Sequence, residues 1–321
     1  MKVGNQLPAT MTHQLFAQTI MKTEARFNNI SKDMFKVMML ATQGPDPFFF
    51  YGMHPFKKRE DKKRVQSIGS FLHHHDPANH LEILIQHAFK DTSQYKDTKI
   101  YYALGALMHY VLDRHVHAYV FSISGFDKSG QLTYPYNVYH SYCETLIDIA
   151  LLNKKAQSVK YFHPKNNIDV KINDLIAIQQ LYQASYKELV QDNDFIHATQ
   201  DMITIYKTVY DRFGIKRVLL KTLLGKHSQA FAASHPKKLS KKEKAIDVLN
   251  EKGTLWQHPE HNQTYQTSVL QMFDGAISDM KKLLYDLDHN QLDLKTYANN
   301  ISYDGITIRK KMKFQSLRFP L

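Results

Sequence analysis

The chain has 321 residues, 43% of them apolar and 12% aromatic, and a formal net charge of +12. This composition excludes a disordered or collagen-like chain and is sufficient for a sizeable core. The apolar runs are far shorter than the roughly 18 residues of a membrane-spanning helix, so we expect a soluble protein with no transmembrane segment. The first residues show no secretory signal, and the one cysteine, Cys143, has no internal disulfide partner. Both features favour a cytoplasmic location.

Apolar residues recur with helical spacing through most of the chain, and few segments alternate with period two. Glycine and proline occupy the gaps, which are short enough for connections within one helical domain. We therefore predict an all-α fold and a single multi-helix domain over residues 1–321. The predicted helices are 11–27, 32–41, 97–121, 139–154, 172–192, 197–224, 241–250 and 267–287.

The positive charge is concentrated in the C-terminal third. Residues 216–252 hold ten Lys or Arg against three Asp or Glu, and residues 302–321 hold five against one. We interpret 216–321 as a basic helical region, which presents either a solvated basic face or a surface for an anionic membrane or nucleic acid. Nucleic acid is the less favoured partner, because no known nucleic-acid-binding motif accompanies the charge.

Eleven of the eighteen histidines lie within the first 140 residues, and two of them share a helical stripe with a carboxylate. His109, Asp113 and His117 are four residues apart, so on a helix they face nearly the same direction. Apolar neighbours make this stripe semi-buried. A carboxylate buried between two imidazoles needs compensation, which a divalent cation supplies. His115 points to another side and is assigned to the surface or to packing.

A second stripe follows at His140, Glu144 and Asp148, which again fall at four-residue intervals. Taken singly, such a pair is more often an exposed helical ion pair. Two apolar-flanked copies instead favour a metal site with more than one ion between two facing helices. Asp148 is interpreted as a carboxylate that orients a ligating histidine. Imidazole and carboxylate ligands without a thiolate cluster suit Zn²⁺ or a similar ion.

Shorter fragments supply isolated ligand candidates. His13 lies in the first predicted helix, and Asp46 sits in a Gly-Pro turn that can aim a carboxylate without helical constraint. His73, His74 and His75 are consecutive and cannot all face one point, so period alone leaves open which of them binds. Nearby aromatic residues either line a pocket for a lipid or base or belong to the core; they are Phe48, Phe49, Tyr51, Tyr134 and Tyr136.

Together these motifs resemble those of a known family. Their order is similar to that of the bacterial zinc-dependent phospholipase C family, which is related to the fungal single-strand-specific zinc nucleases. The matching features are His13, Gly44-Pro45-Asp46, a histidine near His73, His109-x-x-x-Asp113 with a following histidine, and His140-x-x-x-Glu144. Fragments 43–50 and 109–117 resemble in particular an intracellular bacterial branch, and a weaker similarity lies around 256–259.

The resemblance implies an all-helical fold that holds two or three zinc ions. Carried over by position, one ion would be held by Asp46, His73, His109 and Asp113. A second would be held by His117, His140 and Glu144, and a third by His13 with Asp113. His73 is chosen from the triple histidine because the family's ligand histidine precedes an Asp-Pro turn.

Two departures from the family's pattern leave part of this assignment open. Secreted members complete the third zinc site with the N-terminal residue of the processed chain, whereas here twelve residues precede His13. In those members the histidine that follows the Asp113 position is also farther along the chain than His117 is here. The third ion and the pairing of His117 with the second ion are therefore open.

The implied function is hydrolysis of a phosphodiester, such as a phospholipid, by metal-activated water. Asp46 is the candidate catalytic residue that orients or deprotonates the water. Two alternatives stay open. His75-Asp76 suggests an HD-type phosphohydrolase, although Pro77 disfavours the helical conformation that Asp76 would need. The other alternative is a catalytically silent metal-containing protein that binds anionic lipid or nucleic acid through its basic region.

Overall fold

The structure is a computed structural model that describes residues 10–54, 59–162, 164–211, 213–225, 227–261, 263–313, 315–316 and 318. Helices dominate it, which confirms the predicted all-α fold class. The helices are α1 (Met11–Met21), α2 (Lys32–Ala41), α3 (Pro47–Phe50), α4 (Lys62–His74), α5 (Pro77–Lys90), α6 (Lys96–Ser124), α7 (Tyr136–Lys154), α8 (Pro164–Asn167), α9 (Ile172–Ser185), α10 (Asp194–Val209), α11 (Ile215–Leu224), α12 (Gln229–Ala232), α13 (Lys241–Ala245), α14 (Val269–Asp288) and α15 (Leu294–Ala298), with a 3₁₀ turn at Ala25–Phe27.

Two pairs of very short strands accompany the helices. Strand β1 (Tyr210–Asp211) pairs in parallel with β2 (His235–Pro236). Strand β3 (Trp256–Gln257) pairs antiparallel with β4 (Thr264–Tyr265). Within the described residues, no helix has the length and apolar character that a membrane crossing requires.

The helix bounds agree with the sequence prediction in some places and differ in others. Helix α2 has its predicted bounds, because the Ser31 side chain caps it by accepting a hydrogen bond from the Met34 amide. The predicted helix 197–224 is instead α10 and α11, interrupted by β1 and by Gly214 at a φ of 76°. Helices α4 and α5 are missing from the prediction. In α4, Lys, Arg and His outnumber the apolar residues and hide the helical period.

Helix α6 lies at the centre of the molecule and packs against α1, α2, α5, α7, α9 and α14. Its contact with α2 is close because Gly105 has no side chain: a Cβ there would lie 2.3 Å from the Ala41 Cβ. The buried apolar residues form one cluster that extends from Met11 to Tyr303. The assignment of residues 1–321 to a single domain stays a prediction.

The segment after α15 crosses back over α6. The Tyr110 hydroxyl, on α6, donates a hydrogen bond to the Ile301 carbonyl over 2.7 Å. The amide and hydroxyl of Thr307 both donate to the Glu260 carboxylate, at 2.8 and 2.9 Å. The Lys313 amide donates to the Pro259 carbonyl at 2.7 Å. The region around 256–260 therefore holds residues 301–313 in place.

Candidate metal centre

All eight predicted ligands converge on one region between α1, α4, α6, α7 and the turn before α3. They fall into three groups, and within each group the potential ligand atoms lie within 4.8 Å of one another. The groups are Asp46, His73 and His109; His13, His109 and Asp113; and His117, His140 and Glu144. His117 is half-buried and the other seven are buried.

The first group joins α4 and α6 through the carboxylate of Asp46. Its Oδ1 lies 3.0 Å from His73 Nε2, and its Oδ2 lies 3.9 Å from His109 Nε2. His73 Nδ1 donates to the Gly69 carbonyl at 2.7 Å, and His109 Nδ1 donates to the Thr42 carbonyl at 3.0 Å. Because each Nδ1 is engaged by a backbone carbonyl, Nε2 is the ring nitrogen that each histidine turns towards Asp46.

A glycine in the turn before α3 allows this approach. Gly44 has a φ of 48°, and a Cβ built there would lie 2.5 Å from Cδ2 of the His109 ring. The Gly44 carbonyl accepts hydrogen bonds from the hydroxyls of Tyr102 and Tyr182, at 3.1 and 3.4 Å. The turn is therefore pressed against the His109 ring and held there, which fixes the position of Asp46 two residues later.

Asp113 lies between the groups and faces three histidines. Its Oδ2 is 3.0 Å from His109 Nε2, and its Oδ1 is 3.1 Å from His13 Nε2 and 3.6 Å from His117 Nε2. The His13 ring also stacks on the His109 ring, with centroids 4.4 Å apart. A carboxylate whose two oxygens face different imidazoles has the arrangement of a bridging ligand.

The third group joins α6 to α7. Glu144 Oε1 lies 3.3 Å from His117 Nε2 and 3.4 Å from His140 Nε2. His117 Nδ1 donates to the Tyr303 carbonyl at 2.9 Å, and the His140 ring packs on Phe121 with centroids 4.7 Å apart. The four-residue spacing on α6 therefore places His117 next to the stripe of His140 and Glu144 on α7.

Burial and opposite charge act together on the titration of these groups. Burial would raise the pKa of Asp113, but the neighbouring histidines outweigh it and hold that pKa well below its usual value. Burial would also raise the pKa of Glu144, but His140 and His117 outweigh this effect and lower that pKa to about 2. Burial would lower the pKa of His117, but Asp113 and Glu144 raise it to about 10. A cation bound here would take the place of the protons that these imidazoles hold.

Several buried ligand atoms lack a hydrogen-bond partner among the described residues. They are Asp46 Oδ2, His109 Nε2 and Glu144 Oε2. Leaving three such polar atoms buried without partners costs about 1–3 kcal/mol each. Metal coordination would satisfy all three, and the imidazole and carboxylate donors match the preference of zinc. The residues present therefore fit a zinc centre.

The comparisons with known proteins agree with this geometry. The model of the family described as zinc dependent phospholipase C matches residues 9–190, more than half of the chain. The chain belongs to this family. No curated protein and no solved structure matches it. The description of this family names zinc dependence, and the matched segment contains all eight candidate ligands.

The other two members of the triple histidine have different surroundings. His74 Nε2 lies 3.1 Å from Asp304 Oδ2, and its Nδ1 contacts the Ser70 carbonyl at 2.7 Å. His75 stacks on Phe71, with ring centroids 4.7 Å apart. Of the three, only His73 belongs to a candidate metal group among the described residues.

The geometry does not support the HD-type alternative. Asp76 has a left-handed φ of 48° and lies outside α4, as the following proline requires. Its carboxylate caps α5 by accepting a hydrogen bond from the Asn79 amide at 3.2 Å. Neither His75 nor Asp76 belongs to any of the candidate metal groups found in the described part of the chain.

The interpretation of Asp148 needs correction, because it contacts none of the eight candidate ligands. Its buried carboxylate accepts hydrogen bonds from the amides of Thr10, Met11 and Thr12 and from the Thr12 hydroxyl. It also lies 3.1 Å from His235 Nε2. Asp148 therefore fixes the start of α1, and it orients His13 through the backbone of that helix. His115, as expected, serves packing: it pairs with Asp279 on α14 at 2.9 Å.

Sequence reasoning missed two residues of the segment after α15, which lie outside the family match. Tyr303 packs against His73 with ring centroids 4.6 Å apart, and its carbonyl orients His117. Asp304 pairs with His74. Burial would lower the His74 pKa and raise the Asp304 pKa, but the ion pair outweighs it. The His74 pKa is therefore raised to about 9 and the Asp304 pKa is lowered to about 2. The only sequence signal was the basic character of residues 302–321, which gives no indication of these contacts.

Five of the eight candidate ligands line a cavity of about 330 Å³. The ligands that line it are Asp46, His73, His117, His140 and Glu144. Its apolar wall consists of Phe49, Phe121, Leu132, Ile306, Ile308 and Met312, and its basic wall of Arg309, Lys310 and Lys311. Of the predicted aromatic residues, Phe49 is part of this wall, whereas Phe48 belongs to the core and Tyr134 is exposed.

Proposed function

We propose that this protein is a zinc-dependent phosphodiester hydrolase that acts on phospholipids. The observation that carries the proposal is a buried cluster of five histidines and three carboxylates, five of which line a partly apolar cavity. Its membership in the zinc-dependent phospholipase C family supports the same reaction class.

We assign the eight side chains to two or three zinc ions. His109 Nε2 belongs to two of the groups, but its single lone pair serves one ion, so we place it with Asp46 and His73. His117, His140 and Glu144 hold the second ion. A third ion would rest on His13 and on Asp113, whose two oxygens already face different histidines.

Zinc bound in these groups would supply Lewis acidity towards the phosphoryl oxygens and would acidify a water molecule near neutral pH. The chain's own contribution is orientation and proton transfer. Asp46 lines the cavity, and its Oδ2 has no hydrogen-bond partner among the described residues. We assign this oxygen to orient the attacking water and to accept its proton as the water attacks phosphorus, while the P–O bond to the leaving alcohol breaks and that alcohol takes up a proton.

The walls of the cavity support a lipid substrate. Six apolar side chains face the same space as the ligands, which suits the glycerol backbone and the start of the acyl chains. Three successive basic residues, Arg309 to Lys311, line another side and are exposed. We expect them to attract the anionic phosphodiester, with an effect that added salt weakens.

The test is turnover on three substrates: phosphatidylcholine, bis-p-nitrophenyl phosphate and single-stranded DNA. Protein stripped with a chelator should be inactive, and added zinc should restore hydrolysis of phosphatidylcholine above that of DNA. Asp46→Asn should lower turnover on the order of 10²-fold or more. Asp174→Asn is the matched control: Asp174 is a buried aspartate that accepts a hydrogen bond from Thr98, outside the metal groups, so this variant should retain turnover.

Three results would contradict the proposal. Unchanged turnover in Asp46→Asn would remove that residue from the reaction. Absence of hydrolysis of all three substrates by folded, zinc-loaded protein would instead favour the catalytically silent binding protein. Faster cleavage of DNA than of phosphatidylcholine would replace the lipid substrate with nucleic acid.

A further inference from the structure

Four of the five exposed apolar side chains of helix α11 lie on one side of the helix, which we call the exposed apolar face. They are Ile215, Val218, Leu219 and Leu223, and between 53% and 69% of each is exposed. A helix on the surface of a globular protein ordinarily turns its apolar side to the core. Contiguous apolar residues exposed on one helix face indicate an interaction surface.

The other side of α11 is held against the protein by polar contacts. Arg217 is buried, and its guanidinium donates to the Ser234 carbonyl at 2.6 Å and to the Glu243 carboxylate at 2.5 Å. It also lies over the Phe231 ring, 4.6 Å from the centroid. The Arg217 amide donates to Asp211 at 2.7 Å. These contacts fix the rotation of the helix about its own axis.

This rotation exposes the apolar side. With about 100° of rotation per residue, Ile215 and Leu219 each lie about 160° around the helix axis from Arg217. Val218 and Leu223 lie on either flank of that direction. The arginine therefore faces the protein while the apolar residues face away from it. Any rotation that buried them would remove Arg217 from its partners and leave Glu243 buried without its cation.

Exposed positive charge is concentrated on α11 and on the neighbouring helix α13. Lys216 and Lys221 are exposed on α11 itself. The exposed lysines 237, 238, 241, 242 and 244 lie on or beside α13, which the Arg217–Glu243 pair ties to α11. An exposed apolar helix face with lysines on the same helix and on the helix beside it is complementary to a lipid surface with anionic headgroups. Two copies of this face brought together would oppose lysine to lysine, which disfavours a second copy as the occupant.

The chain after α11 leads towards the metal centre. The ring of His227 lies 5.9 Å from the ring of Tyr139, and the Gln229 amide donates to the Ser141 hydroxyl at 2.7 Å. Both partners are in the first turns of α7, next to the ligand His140. Residues 130–132, which precede α7, line the cavity. The helix is thus attached to the end of α7 that borders the substrate pocket.

We propose that α11 is a lipid-binding element that inserts its exposed apolar face into the surface of an anionic membrane. The lysines around it contact the headgroups, and Arg217 anchors the helix to the protein. This contact does not depend on the proposed hydrolase function, because α11 contributes none of the candidate metal ligands.

The test is flotation of the full chain with vesicles of phosphatidylcholine alone and with vesicles in which roughly a third of the lipid is phosphatidylglycerol. The wild type should bind the anionic vesicles more tightly, and less so at high salt. The double variant Leu219→Asp/Leu223→Asp should lose at least about tenfold in binding. Ile172→Asp is the matched control, because Ile172 is 53% exposed on α9, and it should bind like the wild type.

Equal binding by the double variant and the wild type, or no binding of the wild type to anionic vesicles, would overturn the proposal. A concentration-dependent dimer in sedimentation velocity that the double variant abolishes would also overturn it and assign the face to a second copy. Binding is measured on zinc-loaded and chelator-treated protein, and we expect equal values. Vesicle binding without hydrolysis would contradict only the proposed hydrolase function. Hydrolysis without vesicle binding would contradict only the proposed lipid contact of α11.

Discussion

Replacement of Asp148 by asparagine tests how the protein positions His13. One carboxylate oxygen of Asp148 accepts the Thr12 amide and hydroxyl, at 2.7 and 2.6 Å. The other accepts the amides of Thr10 and Met11, at 3.2 and 3.1 Å. Asparagine keeps one acceptor oxygen and places an NH₂ group at the other position, so that two buried amide donors would face a donor.

The expected loss of stability follows from those two orphaned amides. Each buried N–H without an acceptor costs about 1–3 kcal/mol, and loss of the negative charge at the start of α1 adds about 0.5–1 kcal/mol. We expect Asp148→Asn to lower the free energy of unfolding by roughly 2.5–7 kcal/mol. Urea denaturation of the chelator-treated protein measures this change without interference from bound zinc.

The same variant should weaken zinc binding, because His13 follows the loosened turn directly. Asp174→Asn is again the matched control: its side chain still has an oxygen to accept from Thr98, so the loss should stay below about 1.5 kcal/mol and zinc affinity should not change. The explanation of how His13 is positioned would be refuted by two results together. These are a free energy of unfolding of Asp148→Asn within about 1 kcal/mol of the wild type and unaltered zinc binding.

Three further predictions concern the surroundings of the metal groups. Gly44→Ala should weaken zinc binding, because the new Cβ would lie 2.5 Å from the His109 ring and displace it. Zinc binding is measured by calorimetric titration, and an affinity equal to that of the wild type would show that the turn does not fix His109. Asp304→Asn should destabilise the protein most between about pH 4 and pH 6.5, where both partners are charged in the folded and in the unfolded wild type. Its deficit should shrink as the pH rises through about 9, where His74 loses its proton, and as it falls towards about 2, where Asp304 gains one. Urea denaturation across this range measures the deficit, and a constant value would contradict the ion pair. Lys310→Gln/Lys311→Gln should raise KM for phosphatidylcholine at low salt, with little change in kcat; identical kinetics would remove these lysines from substrate attraction.

The proximity of the candidate ligands was predictable because helical spacing determines which side chains share a face. Four-residue intervals bring His109, Asp113 and His117 to one side of α6, and the same interval brings His140 and Glu144 to one side of α7. Within the triple histidine, spacing alone could not select the residue that faces Asp46. That selection depends on the direction in which α4 meets α6, which is a tertiary property.

Other features depend on contacts between distant segments and left no local pattern. Tyr303 reaches His73 and His117 only because the chain returns over α6 after α15. Asp148 lies on the predicted stripe, but its partners are the amides that begin α1, more than 130 residues earlier. The outward face of α11 follows from the burial of Arg217 against Glu243, which reverses the usual rule that apolar residues face inwards.

The central claim is that these five histidines and three carboxylates hold zinc, and anomalous diffraction at the zinc absorption edge from zinc-loaded crystals tests it most directly. The account predicts two or three peaks, each about 2.0–2.2 Å from nitrogen and oxygen atoms of the candidate ligands. Peaks should lie beside His73 Nε2 and His140 Nε2, with Asp113 between them. An absence of peaks in this region, or peaks only at histidines elsewhere such as His258 and His261, would contradict the account.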